Sequence, residues 1–444
     1  MIPFFLLFKE KILSGKERWL YYAILCYIVS LYIKHIPVVT NVLMLGIFIF
    51  SCVISFGKNY MQLIKNNRVI FGIALFFICQ LISAFFSTNF QAGANVLLMR
   101  LPLFILPLAF CFINFELKIW NRITLFYAFI TAIASVIGFA YGVYSAINKH
   151  DTGYLYNDNI SELLLDKQAV YFGFYVNAAI LMLIFSLKSI GELSKQFTYL
   201  AWVSLLWLIF IIFMLASKTS MLCLAAILFF VIVRHVFTSK NKMEGGLLLL
   251  SIVIGAVLVM KMFPKTLNRF KGITETSFVF DNKNRENHFN AEYEKDKWNS
   301  TNTRVALWQC GAEIWHEHFL FGTGIGDKKE ALIKKYNEKH FWYAIDTEKN
   351  LHNQYLDILA SMGLVGLLFF VFCFFVYPLI VFIRNGQLFS ILLFCCLAFC
   401  FFTENMLDRF QGEIIISFIL PLAAKISNRA NGTMLRDFPS NTSQ

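Results

Sequence analysis

The chain has 444 residues, 58% of them hydrophobic and only 15% charged, with a mean hydropathy of +0.63. With 50 Phe, 18 Tyr and 8 Trp it is neither a disordered chain nor a soluble enzyme carrying one membrane tail. Its apolar runs are continuous rather than alternating at period two, which excludes an outer-membrane barrel and leaves an all-α polytopic membrane protein. The net charge of +12 is spread through short links between those runs, so nucleic acid is not an expected partner.

In chain order, the segment from Met1 to Lys11 has too short an apolar stretch, with Lys after it rather than before it, to read as a cleaved signal peptide. Runs near the length of about 20 residues that crosses about 30 Å of hydrocarbon then predict twelve spans. They cover 19–37, 40–56, 69–86, 94–115, 123–144, 169–187, 199–216, 219–237, 246–263, 356–382, 387–403 and 412–426. The stretch 199–237 would be about 58 Å long as one helix, and Ser217-Lys218-Thr219-Ser220 breaks it into a hairpin. Alternating the links between sides gathers 18 Lys and Arg with the two termini and 6 in the short links of the other side, so both termini are expected in the cytoplasm; the other 15 lie in or beside the one long loop, too long to count.

This divides the chain into nine spans over 1–263, a large outer loop over 264–355, three spans over 356–426 and a cytoplasmic tail over 427–444. Within the loop, Val305, Leu307, Trp308, Ala312, Ile314 and Trp315 have helical spacing, and the run Gly322-Thr-Gly-Ile-Gly-Asp327 ends that helix as a turn. A second helix is expected from Lys329 to Lys339, and the polar stretch from Thr274 to Ser300 reads as mobile. Nine of the ten cysteines fall inside expected spans and only Cys310 in the loop, so neither a loop disulfide nor a metal site is expected.

An ionisable residue at membrane depth is a candidate site residue by default. Arg100 lies within the fourth span or at its outer end, and Lys218 at the outer tip of the hairpin. For either alone, snorkelling to the headgroups is an equally good account. Both nevertheless share a side with the loop, where Arg304 opens the first helix and His352-Asn353 precedes re-entry into the bilayer. The glycine run lacks the preceding strand and the Lys-Ser/Thr of a phosphate-binding loop, and no Asp-x-Asp is present to cage a divalent ion. The set that remains is Arg100, Lys218 and Arg304 with His352 as a candidate base, which suits a lipid-linked phosphate. Arginine forks bind phosphate oxygens, and a neutral imidazole accepts a hydroxyl proton near pH 7.

Taken together, Arg304-Val-Ala-Leu-Trp308, Phe319-Leu-Phe-Gly322-Thr-Gly324-Ile-Gly326, His352-Asn353-Gln-Tyr355-Leu356 and Gly363-Leu-Val-Gly366 resemble the O-antigen ligase and polymerase superfamily, closely over about 205–370. The resemblance implies an inner-membrane, GT-C-like glycosyltransferase of lipopolysaccharide and surface polysaccharide biosynthesis. Such enzymes move a glycan from undecaprenyl pyrophosphate to an acceptor hydroxyl at the periplasmic face, without nucleotide, metal or other cofactor. In ligases the acceptor is a lipid A-core sugar, and in polymerases it is another repeat unit. The resemblance gives His352 and Arg304 catalytic roles, Arg100, Lys218 and Arg304 contacts to the pyrophosphate, and Asn353 a supporting part. Lys218 stands where relatives carry Arg, so its contact would be a point charge rather than a fork. Glu404 and Asp408 also resemble family positions, with no role attached. The ligase reading is preferred, with the polymerase second and a non-enzymatic lipid-glycan transporter third.

Overall fold

The computed structural model describes residue 13 and residues 15–34, 37–166, 169–191, 195–238, 274–284 and 297–429. Those residues form an all-helical protein without strands. The first half contains α1 (Gly15–Ser30), α2 (Pro37–Ile54), α3 (Tyr60–Asn66), α4 (Arg68–Phe85), α5 (Phe90–Arg100), α6 (Pro102–Phe112), α7 (Leu117–Lys149), α8 (Asp158–Leu165), α9 (Ala169–Gly191), α10 (Lys195–Met214) and α11 (Lys218–Thr238). After these come α12 (Ser300–Glu317), α13 (Lys328–Glu338) and α14 (Trp342–Asp346) in the loop, then α15 (Gln354–Val371). A π-helical turn joins α15 to α16 (Tyr377–Arg384), and α17 (Leu388–Thr403) and α18 (Phe410–Arg429) complete the chain.

Among the described residues nine helices are long and apolar enough to cross a membrane, so the chain is a multi-pass membrane protein. Two further expected spans, α1 and α17, are helices of only 16 residues. The expected span at 246–263 lies outside the described residues. The fourth span begins earlier than its hydropathy indicated. Asn89 caps α5 by accepting the Ala92 N–H, and the rod runs from Phe90 to Phe112 across the Pro102 junction. Arg100 is therefore about 15 Å along that rod, within the span and not at its end, the first of the two expected positions. Helices α4, α2 and α18 pack around α6, and α9 packs between α7 and α10.

The loop has its own core. Trp298, Leu307, Cys310, Ile314, Tyr336 and Phe341 are buried together. Asn299 starts α12 with a capping box, accepting the Asn302 N–H while the Asn302 side chain accepts the Asn299 N–H. The stretch expected to be mobile contributes to this core through Phe278, tilted against Trp298, and Phe280, edge-on to Phe341. Aromatic burial outweighs the polarity of the residues around them. Residues 285–296 of that stretch lie outside the described residues.

The glycine run clamps the loop to the spans. Helix α15 is broken at Gly363, with φ 67° and ψ −168°, and the backbone groups released there are met by the loop. Leu364 and Val365 donate to the carbonyls of Phe319 and Leu320, while Thr323 and Gly324 donate to those of Ala360 and Ser361. Main chain lies against main chain, since a Cβ on Gly322 would come within 2.3 Å of Ser361 and one on Gly363 within 2.3 Å of Leu320. At the other end Asp327 accepts from the Thr88 and Asn89 N–H groups at 2.7 Å, and Gly326 donates to Ser87 Oγ.

Gly386 provides an internal control, because it has φ 64° but open space where a Cβ would go. Gly363→Ala and Gly386→Ala each carry a positive-φ penalty of about 1–3 kcal/mol, and the Gly363 pair of angles is one essentially confined to glycine. Only Gly363→Ala forces the two chains apart. Thermal unfolding of the purified protein should therefore show a drop for Gly363→Ala at least twice that for Gly386→Ala, and equal drops would contradict the clamp.

Candidate active site

Two polar clusters meet where the loop returns to the spans. The first is buried and is organised by Lys328, the first residue of α13. Its ammonium donates to both carboxylate oxygens of Asp357 on α15, at 2.8 and 2.9 Å, and to Asp408 Oδ2 at 2.9 Å. Arg100 closes the cluster from α5 and is 1% exposed. It donates through Nη2 to Asp408 at 2.7 Å, through Nη1 to Gln80 at 3.1 Å and through Nε to the Leu407 carbonyl at 3.1 Å, and Glu413 lies 3.7 Å from Nε.

Burial opposes charge on Asp408, but Lys328 and Arg100 outweigh it and hold the carboxyl well below the usual carboxylate range. Burial likewise opposes the Lys328 ammonium, while Asp357 and Asp408 favour it and lift Lys328 above the usual lysine value. Asn405 ties this cluster to the segment before α15. Its Nδ2 donates to Asp357 and Asp408, and its Oδ1 accepts the Asn353 N–H at 2.6 Å. Asn353 in turn caps α15 by accepting from the Tyr355 and Leu356 N–H groups.

The second cluster is more open. His352 precedes Asn353 in a left-handed conformation, φ 46°, costly for a residue with a Cβ and steadied by the Asn350 side chain accepting its N–H. Its Nδ1 lies 2.9 and 3.1 Å from the two carboxylate oxygens of Glu404. Burial opposes the charge on Glu404, but His352, with help from Arg304 and Arg409, keeps its carboxyl below the usual range. A carboxylate on Nδ1 fixes the imidazole's orientation and its tautomer, turning Nε2 into the proton acceptor.

Arg304 donates from Nη1 to the Ser300 carbonyl at 2.9 Å and from Nε to the Thr403 carbonyl at 3.3 Å. Its Nη2 has no protein partner among the described residues. Lys218, at the start of α11, donates to Ser300 Oγ at 3.0 Å, and Thr219 pairs with Thr403 at 2.8 Å. Lys218, Arg304 and His352, far apart in sequence, are thus gathered around Ser300, Thr403 and Glu404. Arg100 is not among them, because it faces the neighbouring buried cluster. The roles of Glu404 and Lys328 are not legible from the residues alone. The signal was a turn, Glu404-Asn-Met-Leu-Asp-Arg409, carrying three charges between two apolar helices.

Residues 203–371 match the O-antigen ligase family model. The matched region runs from α10 into α15 and contains Lys218, Arg304, His352 and Asn353, whereas Arg100, Glu404 and Asp408 lie outside it. The similarity to that family therefore covers 169 of the 444 residues, a little over a third of the chain. A comparison with curated proteins finds no match to the chain.

Removing the Lys328 charge leaves two buried carboxylates facing each other. Loss of one partner of a buried ion pair costs about 3–5 kcal/mol. Lys328→Met should therefore lower the unfolding midpoint sharply, and Lys328→Met combined with Asp357→Asn should recover part of the loss. The sign of the pH dependence follows from the shifts. The folded value of Asp408 is below its unfolded one, so its contribution is complete above about pH 4 and disappears as pH falls through the folded value. That of Lys328 is above its unfolded one, so its contribution is complete below about pH 10 and disappears as pH rises through the folded value. The midpoint should thus respond to Lys328→Met by the same amount at pH 7 and pH 9; a loss confined to one of these would contradict the assignment.

Proposed function

We propose that the protein is an O-antigen ligase, moving a glycan from undecaprenyl pyrophosphate to a hydroxyl of a lipid A-core sugar at the periplasmic face of the inner membrane. This reading includes the twelve-span, GT-C-like arrangement with both termini in the cytoplasm. The observation that carries it is the His352 imidazole held by Glu404 beside two cations, Lys218 and Arg304. A base next to an anion-binding pair is what displacement of a pyrophosphate by a hydroxyl requires.

In this mechanism the acceptor oxygen attacks the anomeric carbon as its proton passes to His352 Nε2. The bond from that carbon to the pyrophosphate oxygen breaks, and the configuration inverts. The electron pair leaves on undecaprenyl pyrophosphate, where Arg304, through Nη2, and Lys218 stabilise the growing charge. The Lys218 contact is a point charge, so Arg304 carries the directional part of the recognition. Arg100 is assigned a positioning part through Asp408 and Leu407 rather than a contact to pyrophosphate, because Nε, Nη1 and Nη2 are all engaged inside the protein. Asn353 supports the site by joining α15 to Asn405.

His352→Ala and Arg304→Ala should each lower turnover by about a hundredfold or more, and Glu404→Gln by about tenfold or more, with membrane insertion intact. Surface glycans and lipid extracts from a strain lacking the gene, complemented with wild type or His352→Ala, test the reading. Long glycan accumulating on the undecaprenyl carrier, with bare lipid A core, is the result expected of the His352→Ala strain. Single repeats capping the core would point to a polymerase, and full rescue by His352→Ala would leave a transporter.

A further inference from the structure

We propose that Phe319, Leu320 and Phe321 form a wedge that dips into the acyl chains at the edge of the bilayer. The three are 46%, 52% and 72% exposed, an unusual concentration of bare apolar surface in an otherwise charged loop. Their position relative to the membrane follows from the break in α15. From Gly363 to Arg384 the rod has about 22 residues, or about 33 Å, close to the thickness of about 30 Å of the hydrocarbon layer. With Arg384 at one boundary, Gly363 lies at the other. Phe319 and Leu320 bond directly to the two residues that follow it, so the wedge is level with the outermost turn of the span.

Two further observations favour lipid over a protein partner. Val365, which donates to the Leu320 carbonyl, opens a stripe of exposed apolar residues that continues down the same rod through Leu368, Phe372 and Ile383. The wedge thus continues a surface whose chemistry is already that of lipid contact. The carbonyls of the wedge are also satisfied where they enter the apolar layer. The Phe319 oxygen accepts from Leu364 and from the Trp315 indole, and the Leu320 oxygen from Val365. Backbone outside a regular helix is tolerated at membrane depth only when it is paired in this way. The wedge then fixes the height of the loop, and with it His352, relative to the membrane surface.

The test uses the full chain in vesicles of phosphatidylethanolamine and phosphatidylglycerol, with p-benzoyl-phenylalanine replacing Phe321 or, in a second protein, Leu320. Lys329, which is 73% exposed in its side chain, serves as the control position. After irradiation, mass spectrometry should find acyl-chain adducts at 320 and 321 several-fold above those at 329, whether or not undecaprenyl phosphate is added. Lipid adducts no more frequent than at 329 would overturn the proposal. Adducts only to a second copy of the chain, or only when the undecaprenyl carrier is present, would overturn it as well. Neither outcome bears on glycan transfer, which the wedge does not require.

Discussion

The arrangement depends first on a buried ammonium. Lys328 sits between Asp357 and Asp408 while Arg100 holds the far side of Asp408, so four charges from four parts of the chain share one largely dry space. None of them is tolerable there alone, because an unpaired buried charge costs several kcal/mol. The cluster therefore forms with all its members or not at all. It fixes together α5, the start of α13, the start of α15 and the turn between α17 and α18. Asn405 transmits that order to the site. One of its side-chain atoms reads the two carboxylates, and the other holds the backbone of Asn353 next to His352. Glu404 is the neighbour of Asn405, so one side chain sets the register of both the base and the carboxylate that orients it.

A second constraint acts on the backbone. A helix broken in mid-course leaves backbone donors and acceptors that must find other partners. Here the loop supplies the missing partners by laying Phe319–Gly324 across the break at Gly363. Glycine is required on both sides because the two main chains touch where any side chain would stand. The ion cluster and this backbone clamp attach the loop at two points along α15, and the catalytic segment lies just before that helix. The loop consequently behaves as part of the membrane domain, and the cations from α11 and α12 are held against the turn after α17.

The helices were legible because hydropathy reports directly on length in lipid. Eleven of the twelve expected spans correspond to helices among the described residues, two of them shorter than the usual crossing length. The glycine run was legible as a turn but not as a backbone clamp, since no local pattern states what a glycine will touch. Lys218, Arg304 and His352 stood out as polar residues at apolar boundaries. The surroundings of Arg100 did not, because its partner Asp408 is 308 residues away and the Asn89 cap that lengthens its helix is polar. Glu404 was visible only as a charge in a short turn. Its contact with His352 spans 52 residues and rests on Asn405, whose bonds periodicity cannot reveal.

The central claim is that buried charges, acting through Asn405, hold the base of a glycosyl transfer reaction. The most direct measurement is transfer of glycan from undecaprenyl pyrophosphate to lipid A core by the purified protein in nanodiscs, comparing wild type with Asn405→Ala under conditions where both remain folded. The account predicts product from the wild type and a loss of about tenfold or more for Asn405→Ala, carried by turnover rather than by donor affinity. Wild-type turnover in Asn405→Ala would contradict it.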